Sequence, residues 1–388
     1  MYHFCAMGSP LFNRIMNRVH SGPMTFAEFM EAALYDPDYG YYTSGKTRIG
    51  AEGDYITSPS MSPVFGRTLA RLAVKLDEIL DHPDPFTILE PGAGMGQTAA
   101  EILGALGKKS PDFRKRVRYL ALEKSAGQNA VLKRNLGEIP GFEVVEGLSL
   151  INPVVGMIFS NEFFDALPVH RLIMRDAIRE IYVGEEGGRL VDVEGELSDK
   201  SLAEWFETGV KLLKGQSADI SLEWIKWTKL LAEKLGKGLL VSIDYGYPAH
   251  ELYSPVRYQG TLLAYRGHKV SDDLYADPGG QDLTAHVDFT ALAEAGLRAG
   301  LETVAFSDQL RMFMALGVHE VFAELEAECP TLAQYQVAVQ PAKALIMPGG
   351  MGEMFKILAQ HRGLGDKIGD LRKIIPPKYQ LWPPEDQA

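Results

Sequence analysis

The residues of this sequence best placed to do chemistry form the string Glu90-Pro91-Gly92-Ala93-Gly94-Met95-Gly96, directly after the short apolar run Phe86-Thr87-Ile88-Leu89. A glycine turn after a buried strand lets the backbone approach a ligand closely, and the helix that follows presents N–H groups with no intrahelical partner. That arrangement serves any nucleotide, and a G-x-G-x-G string by itself also occurs in turns that bind nothing. Two carboxylates narrow the choice. Glu90, just before the turn, suits the cationic ammonium end of S-adenosylmethionine and would repel a dinucleotide pyrophosphate. Glu123, at the end of the next expected strand, is placed to accept both ribose hydroxyls, as an acidic residue does in other nucleotide-binding sheets; a solvated strand end is the alternative. No G-K-[ST] follows the glycines, which removes the phosphate loop of nucleoside triphosphatases. The expected ligand is therefore the methyl donor S-adenosylmethionine, held by Glu90, Gly92, Ala93, Gly94, Gly96 and Glu123.

A second constellation is Ser160-Asn161-Glu162-Phe163-Phe164-Asp165-Ala166-Leu167-Pro168-Val169-His170. It follows another apolar run, and in an open α/β sheet the carboxyl ends of strands line the ligand crevice. Glu162 and Asp165, three residues apart beside two phenylalanines, can coat a small acidic pocket; a helix start with ordinary acidic enrichment is the competing reading. His170, His268, His286 and His319 show no zinc-site spacing with Cys or carboxylates, so no metal is expected. Tyr265-Arg266-Gly267-His268 and the polar string over 281–288 either line the crevice or are plain loops.

These residues need a scaffold, and the hydrophobic pattern supplies one. Strands are expected over 86–90, 118–123, 142–145, 156–160 and 238–244, with a helix over 63–80 leading into the first and helices over 98–106 and 125–136 between those that follow. Strands and helices alternating at this length imply a parallel sheet covered on both faces, a Rossmann-like doubly wound α/β fold. Upstream, Thr25 can cap a helix over 26–34 with Glu28 as its capping-box partner. The following stretch, rich in Gly, Pro and Tyr and ending in Gly53-Asp54-Tyr55-Ile56-Thr57-Ser58-Pro59, reads as an ordered loop with aromatic anchors. Between the fourth and fifth strands, 171–194 reads as a meander turning at Arg175-Asp176 and at 184–188, and 201–235 as two helices carrying Trp205, Trp224 and Trp227. The division expected is a helical and loop segment over 1–80 covering the donor, a core over 81–170 and 237–365, an inserted subdomain over 171–236 that shapes the substrate side or merely stabilises, and a tail over 366–388.

Composition bounds the function. With 46% hydrophobic and 23% charged residues the chain is an ordinary globular one, and a net charge of -12 argues against gripping phosphate backbones. The local basic cluster Lys108, Lys109, Arg114, Lys115, Arg116 and Arg118 reads as a solvated helix face, and no nucleic-acid partner is expected. Cys5 and Cys329 are too few for a disulfide framework, and a reducing compartment fits. No apolar run reaches the 18 or so residues of a membrane span. The first residues show neither the apolar run nor the small-residue cleavage site of a secretory signal, so none is expected, and Arg14 and Arg18 ahead of Glu28 leave a weak mitochondrial presequence open. The expected location is a bacterial cytoplasm, or the mitochondrial matrix in a eukaryote.

Taken together, the glycine string, residues 161–170, residues 53–59 and Ser242-Ile243-Asp244-Tyr245-Gly246 resemble the MidA family, which includes a mitochondrial assembly factor for respiratory complex I. The resemblance runs over about 20–360, and 161–170 is its most specific part. It implies a class I methyltransferase fold, S-adenosylmethionine as cofactor, and arginine methylation of a partner protein, with a complex I subunit as the family's example. On the resemblance, Thr57, Ser58 and Asn161 join the donor site, and Glu162 and Asp165 are the catalytic residues. Leu148-Ser149 departs from many methyltransferases outside the family, in which an Asp near the third strand contacts adenine. A small-molecule methyltransferase, and an assembly chaperone that keeps the donor site, are the alternatives to a protein methyltransferase.

Overall fold

A computed structural model of the chain describes residues 8–44, 62–206, 210–267, 269–347 and 349–382. Its central sheet is built from β1 (Phe86–Pro91), β2 (Val117–Leu122), β3 (Phe142–Val145), β4 (Val154–Asn161), β5 (Leu235–Tyr247), β6 (Glu302–Asp308) and β7 (Phe355–Arg362). The order is β6-β7-β5-β4-β1-β2-β3. β7 runs antiparallel to both of its neighbours, and the remaining pairs are parallel. This is the doubly wound sheet that the alternation of strands and helices predicts. The chain winds outward from β1 through β2 to β3, then returns to place β4 on the other side of β1. That reversal opens a crevice above the carboxyl ends of β1 and β4. The glycine string leaves β1 there, and residues 161–170 leave β4 beside it.

Each strand sends alternate side chains to opposite faces. Ile88, Tyr119, Met157 and Val241 belong to one core, against the helices Val64–Ile79 and Gln97–Lys109. Leu89, Leu120, Ile158 and Leu240 belong to the other, against Phe26–Tyr35, Leu222–Lys234 and Phe289–Arg298. Burial on both faces explains why the strands read as unbroken apolar runs. Phe26–Tyr35 starts with both bonds of the expected capping box, in which the Glu28 amide donates to the Thr25 hydroxyl and the Thr25 amide donates to the Glu28 carboxylate.

The meander between β4 and β5 is a second, antiparallel sheet of His170–Met174, Ile178–Glu186, Arg189–Gly195 and Ser217–Ile220. Its hairpin at Gly187 and Gly188 has φ of 59° and 79°, the pair of left-handed residues that a tight right-twisted hairpin requires. Two features differ from expectation. Met24–Thr25, from the N-terminal segment, pairs with Ile178–Glu186, so that segment shares this sheet. The stretch expected as two helices holds a short helix Ser201–Glu204, the strand Ser217–Ile220 and the helix Leu222–Lys234. Pairing with His170–Met174 overrides local helix preference in that strand. The C-terminal stretch continues as a helix, Ile368–Ile374, and then docks on β6, where the Lys378 and Tyr379 amides donate to Phe306 O and both side chains reach Asp308 Oδ2.

The basic cluster is a paired surface. Lys108 meets Glu328, Lys109 meets Glu324, Arg116 meets Asp77 and Arg118 meets Glu143. Among the described residues no helix is long and apolar enough to cross a membrane.

Candidate active site

The glycine turn is tied to β2 by a bond from the Gly92 amide to Leu122 O at 2.8 Å. Gly92, Gly94 and Gly96 have φ of 71°, 55° and 83°, the left-handed region that L side chains avoid. Their environments give them separate tasks. A Cβ on Gly92 would stand 2.9 Å from Phe163 Cδ2, and one on Gly96 would stand 2.6 Å from both Leu132 and Leu136. Gly92 therefore lets residues 161–170 close over the turn, and Gly96 lets the helix that it caps pack on its neighbour. A Cβ on Gly94 meets nothing among the described residues within 4 Å, so its backbone faces open space.

Two buried carboxylates brace this cradle. Glu123 Oε2 accepts the Gly94 amide at 3.0 Å and Oε1 accepts the Ser125 amide at 2.9 Å. Turning the Gln128 amide puts its nitrogen 3.1 and 3.0 Å from the same two oxygens. Burial raises the Glu123 pKa, and the N–H groups of Ser125 and Gly94 oppose the rise. Glu90 accepts the Tyr119 hydroxyl at 2.6 Å. Burial pushes its carboxyl up to about 8 against the lowering effect of the Tyr119 and Thr98 hydroxyls, with Glu123 adding to the rise. None of those groups is cationic. A carboxylate buried with neutral donors fits a ligand that brings its own positive charge.

Residues 162–169, between the end of β4 and the strand His170–Met174, form an irregular turn instead of the helix start that their acids allowed. The Glu162 amide donates to Ile243 O at 3.1 Å, and the Phe163 and Phe164 amides donate to Asp244 Oδ2 at 3.1 and 2.9 Å. Trp224 Nε1 closes on Phe164 O at 2.8 Å. Glu162 itself has φ of 50°, uncommon for a residue with a Cβ, and Asn161 Nδ2 donates to its Oε1 at 3.0 Å. Asp165 lies deeper, with only 6% of its surface exposed. Burial, Asp244 and Asp282 push its carboxyl well up.

One cavity of about 810 Å³ joins these parts. That lies within the range of roughly 300–1,000 Å³ common for small-molecule sites. Of the residues expected at the site, Glu90, Gly92, Ala93, Gly94, Glu123, Asn161 and Glu162 line it. Gly96 does not, because it faces the helix behind. Asp165 stands behind the wall that Glu162 forms. Thr57 and Ser58 lie outside the described residues.

The cavity also takes residues that the sequence did not assign to the donor or catalytic set. Tyr35 comes from the N-terminal helix, Glu146, Gly147 and Leu148 follow β3, and Trp227 comes from the helix before β5. Trp227 meets Phe163 edge to face at 5.1 Å. The only signal for it was a tryptophan pair in the insertion, and its partner Trp224 is wholly buried. Among the described residues no group of three or more His, Cys, Asp or Glu is arranged to hold a metal ion.

A family model for S-adenosyl-L-methionine-dependent methyltransferases matches residues 68–307, from the helix before β1 into β6. The chain belongs to that family. This is the MidA-like family that the motifs resembled, so the chain is an S-adenosylmethionine-dependent methyltransferase, and the cavity above β1 and β4 lies at the end of the sheet where open α/β sheets bind their ligands. Similar curated proteins include the Drosophila melanogaster protein arginine methyltransferase NDUFAF7 homolog, mitochondrial, at 27% identity over 89% of this chain and 83% of that one. The human protein arginine methyltransferase NDUFAF7, mitochondrial, is 26% identical over 90% of this methyltransferase and 83% of its own length. A Burkholderia thailandensis structure with S-adenosyl-homocysteine bound superposes with a TM-score of 0.82 at 29% identity, covering 93% of this chain and 94% of the other.

Proposed function

We propose that this methyltransferase transfers the methyl group of S-adenosylmethionine to an arginine of a partner protein, with Glu162 engaging the acceptor. The observation that carries the reading is Glu162 itself, held in an uncommon backbone conformation on the wall of the cavity that the glycine turn also lines. S-adenosylmethionine supplies an electrophilic methyl group on a sulfonium. Gly92, Ala93 and Gly94 present backbone to it, Glu123 takes the ribose, Glu90 takes the ammonium, and Asn161 adds a polar group beside them. A guanidinium is delocalised and always protonated, so its nitrogens attack poorly until the positive charge is drawn away from one of them. Glu162 does this by accepting N–H bonds from the guanidinium, and its charge also eases the approach of two cations. In this reading Asp165, buried behind the wall with its carboxyl pushed well up, supports the turn that carries Glu162 instead of charging the pocket.

The curated relatives described as arginine methyltransferases support a protein acceptor, and a respiratory complex I subunit is the first partner to test. Their mitochondrial naming supports a mitochondrial location for a eukaryotic chain, for which the matrix is the compartment proposed, with the cytoplasm as the bacterial equivalent. The test is to incubate an extract lacking this protein with the purified chain and labelled S-adenosylmethionine, then identify the labelled species. Label on an arginine of one protein supports the reading. Label only on small molecules, or none, overturns it in favour of a small-molecule enzyme or an assembly chaperone.

A further inference from the structure

Asp244 ends the buried part of β5, and its side chain is wholly enclosed. Its Oδ2 collects three successive backbone N–H groups, from Phe163 at 3.1 Å, Phe164 at 2.9 Å and Asp165 at 3.4 Å. Its Oδ1 accepts the amide of Tyr245 at 2.9 Å. Successive amides converging on one point make a concavity for an anion. Here the chain supplies that anion from another strand, 79 to 81 residues away.

The residue just before these amides is Glu162, at φ of 50°. Its own N–H is bound to Ile243, the neighbour of Asp244. Residue 162 is thus pinned on both sides to the end of β5. Without those bonds an L residue relaxes out of the left-handed region, and the Glu162 side chain would turn with it. An outlier of this kind persists only where the surroundings over-determine it, and such positions concentrate at functional sites.

We propose that Asp244 is a positioning residue for methyl transfer, gathering the amides of residues 163–165 so that Glu162 is locked in its left-handed conformation on the cavity wall. The inference rests on the reading that Glu162 engages the acceptor. The neighbouring acid fits the same arrangement. Asp165 is buried with an Oδ1 that has no hydrogen-bond partner among the described residues, and burial with the nearby Asp244 and Asp282 carboxylates raises its pKa strongly. Burial pushes Asp244 up as well, to about 7, with Glu162 adding to the rise and the N–H groups of Phe164, Tyr245 and Asp165 opposing it.

The experiment compares Asp244→Asn, Glu162→Gln and the double variant in the full chain, reading S-adenosylhomocysteine affinity by calorimetry and methyl transfer by single turnover. Asp244→Asn should keep donor affinity within about threefold and slow transfer by roughly tenfold or more, the loss expected when a charged acceptor of buried amides becomes neutral. In the Glu162→Gln background it should cost little further, because both changes remove one function. A loss that adds in full to the double variant, or donor affinity that falls in parallel with transfer, overturns the proposal. If Glu162→Gln itself transfers at the wild-type rate, the functional reading fails and the positioning role fails with it. If Glu162→Gln is slow and Asp244→Asn is not, only the positioning role fails. Hydrogen exchange in the wild type gives a check independent of variant folding. The Phe163 and Phe164 amides should exchange slowly although they lie in an irregular turn, and exchange at the rate of an open loop overturns the proposal.

Discussion

Replacing Glu123 by glutamine tests the donor cradle with almost no change of shape. In the native site each carboxylate oxygen accepts one backbone amide, Gly94 at 3.0 Å and Ser125 at 2.9 Å. Glutamine offers one acceptor oxygen and one N–H2 group, so either the glycine turn or the start of the next helix loses its bond and faces a donor. A hydrogen bond to a charged group contributes about 1.5–3 kcal/mol, and a buried donor left unpaired costs about 1–3 kcal/mol. Glu123 is 9% exposed, so solvent does not restore what is lost. On the proposed ribose role of Glu123, the donor loses a charged acceptor in the same step. Taking one charged bond as the minimum, Glu123→Gln should weaken S-adenosylhomocysteine binding by roughly 10–150-fold. Calorimetric titration of the folded variant reads this directly. Affinity within about twofold of wild type would show that neither the ribose nor the turn depends on this carboxylate.

Glu90 predicts a proton signal. Its carboxyl stands at about 8 in the folded protein against an ordinary value of 4.5, so it is mostly protonated at pH 7. Engaging the donor's ammonium must lower it, so binding should release a proton at pH 7 and strengthen as pH rises toward 8; calorimetry in buffers of different ionisation enthalpy showing uptake contradicts this. By the same sign, the stability that protonated Glu90 contributes is present below its unfolded pKa and lost as pH rises through about 8, and Glu90→Gln should flatten that part of the pH–stability curve. Gly94→Val puts a branched side chain at φ of 55° in open space, so donor binding should be abolished with native circular dichroism; normal binding would show that the turn is not the donor site. Gly96→Ala should instead cost about 2–4 kcal/mol of stability in a denaturant titration, from left-handed strain and the clash with Leu132 and Leu136. Trp227→Ala should raise the acceptor KM roughly three- to tenfold while leaving donor affinity unchanged, and equal losses in both would assign Trp227 to the donor.

The strands of the sheet and the glycine turn were legible because they are local. A strand buried on both faces reads as an apolar run, and a turn that needs three left-handed residues reads as three glycines. Glu90 and Glu123 stood out because charge at the end of such a run is costly without a ligand or a partner. The Ser217–Ile220 strand was not legible, since only its pairing with His170–Met174, more than 40 residues earlier, makes it a strand. The same holds for Tyr35, Glu146 and Trp227, which reach the cavity through tertiary packing and carry no spacing of their own. Glu162 and Asp165 looked equivalent in sequence. The left-handed turn at residue 162 separates them, placing one on the cavity wall and the other behind it.

The central claim is that Glu162 activates the acceptor beside a bound donor, and single-turnover methyl transfer by Glu162→Gln tests it most directly. The substitution keeps the side-chain shape and removes the charge. With the partner protein saturating, the account predicts donor binding within a few fold of wild type and a loss of about a hundredfold or more in transfer, the order expected for one preorganised electrostatic group. Transfer at the wild-type rate would contradict it and leave Glu162 a structural residue of the turn.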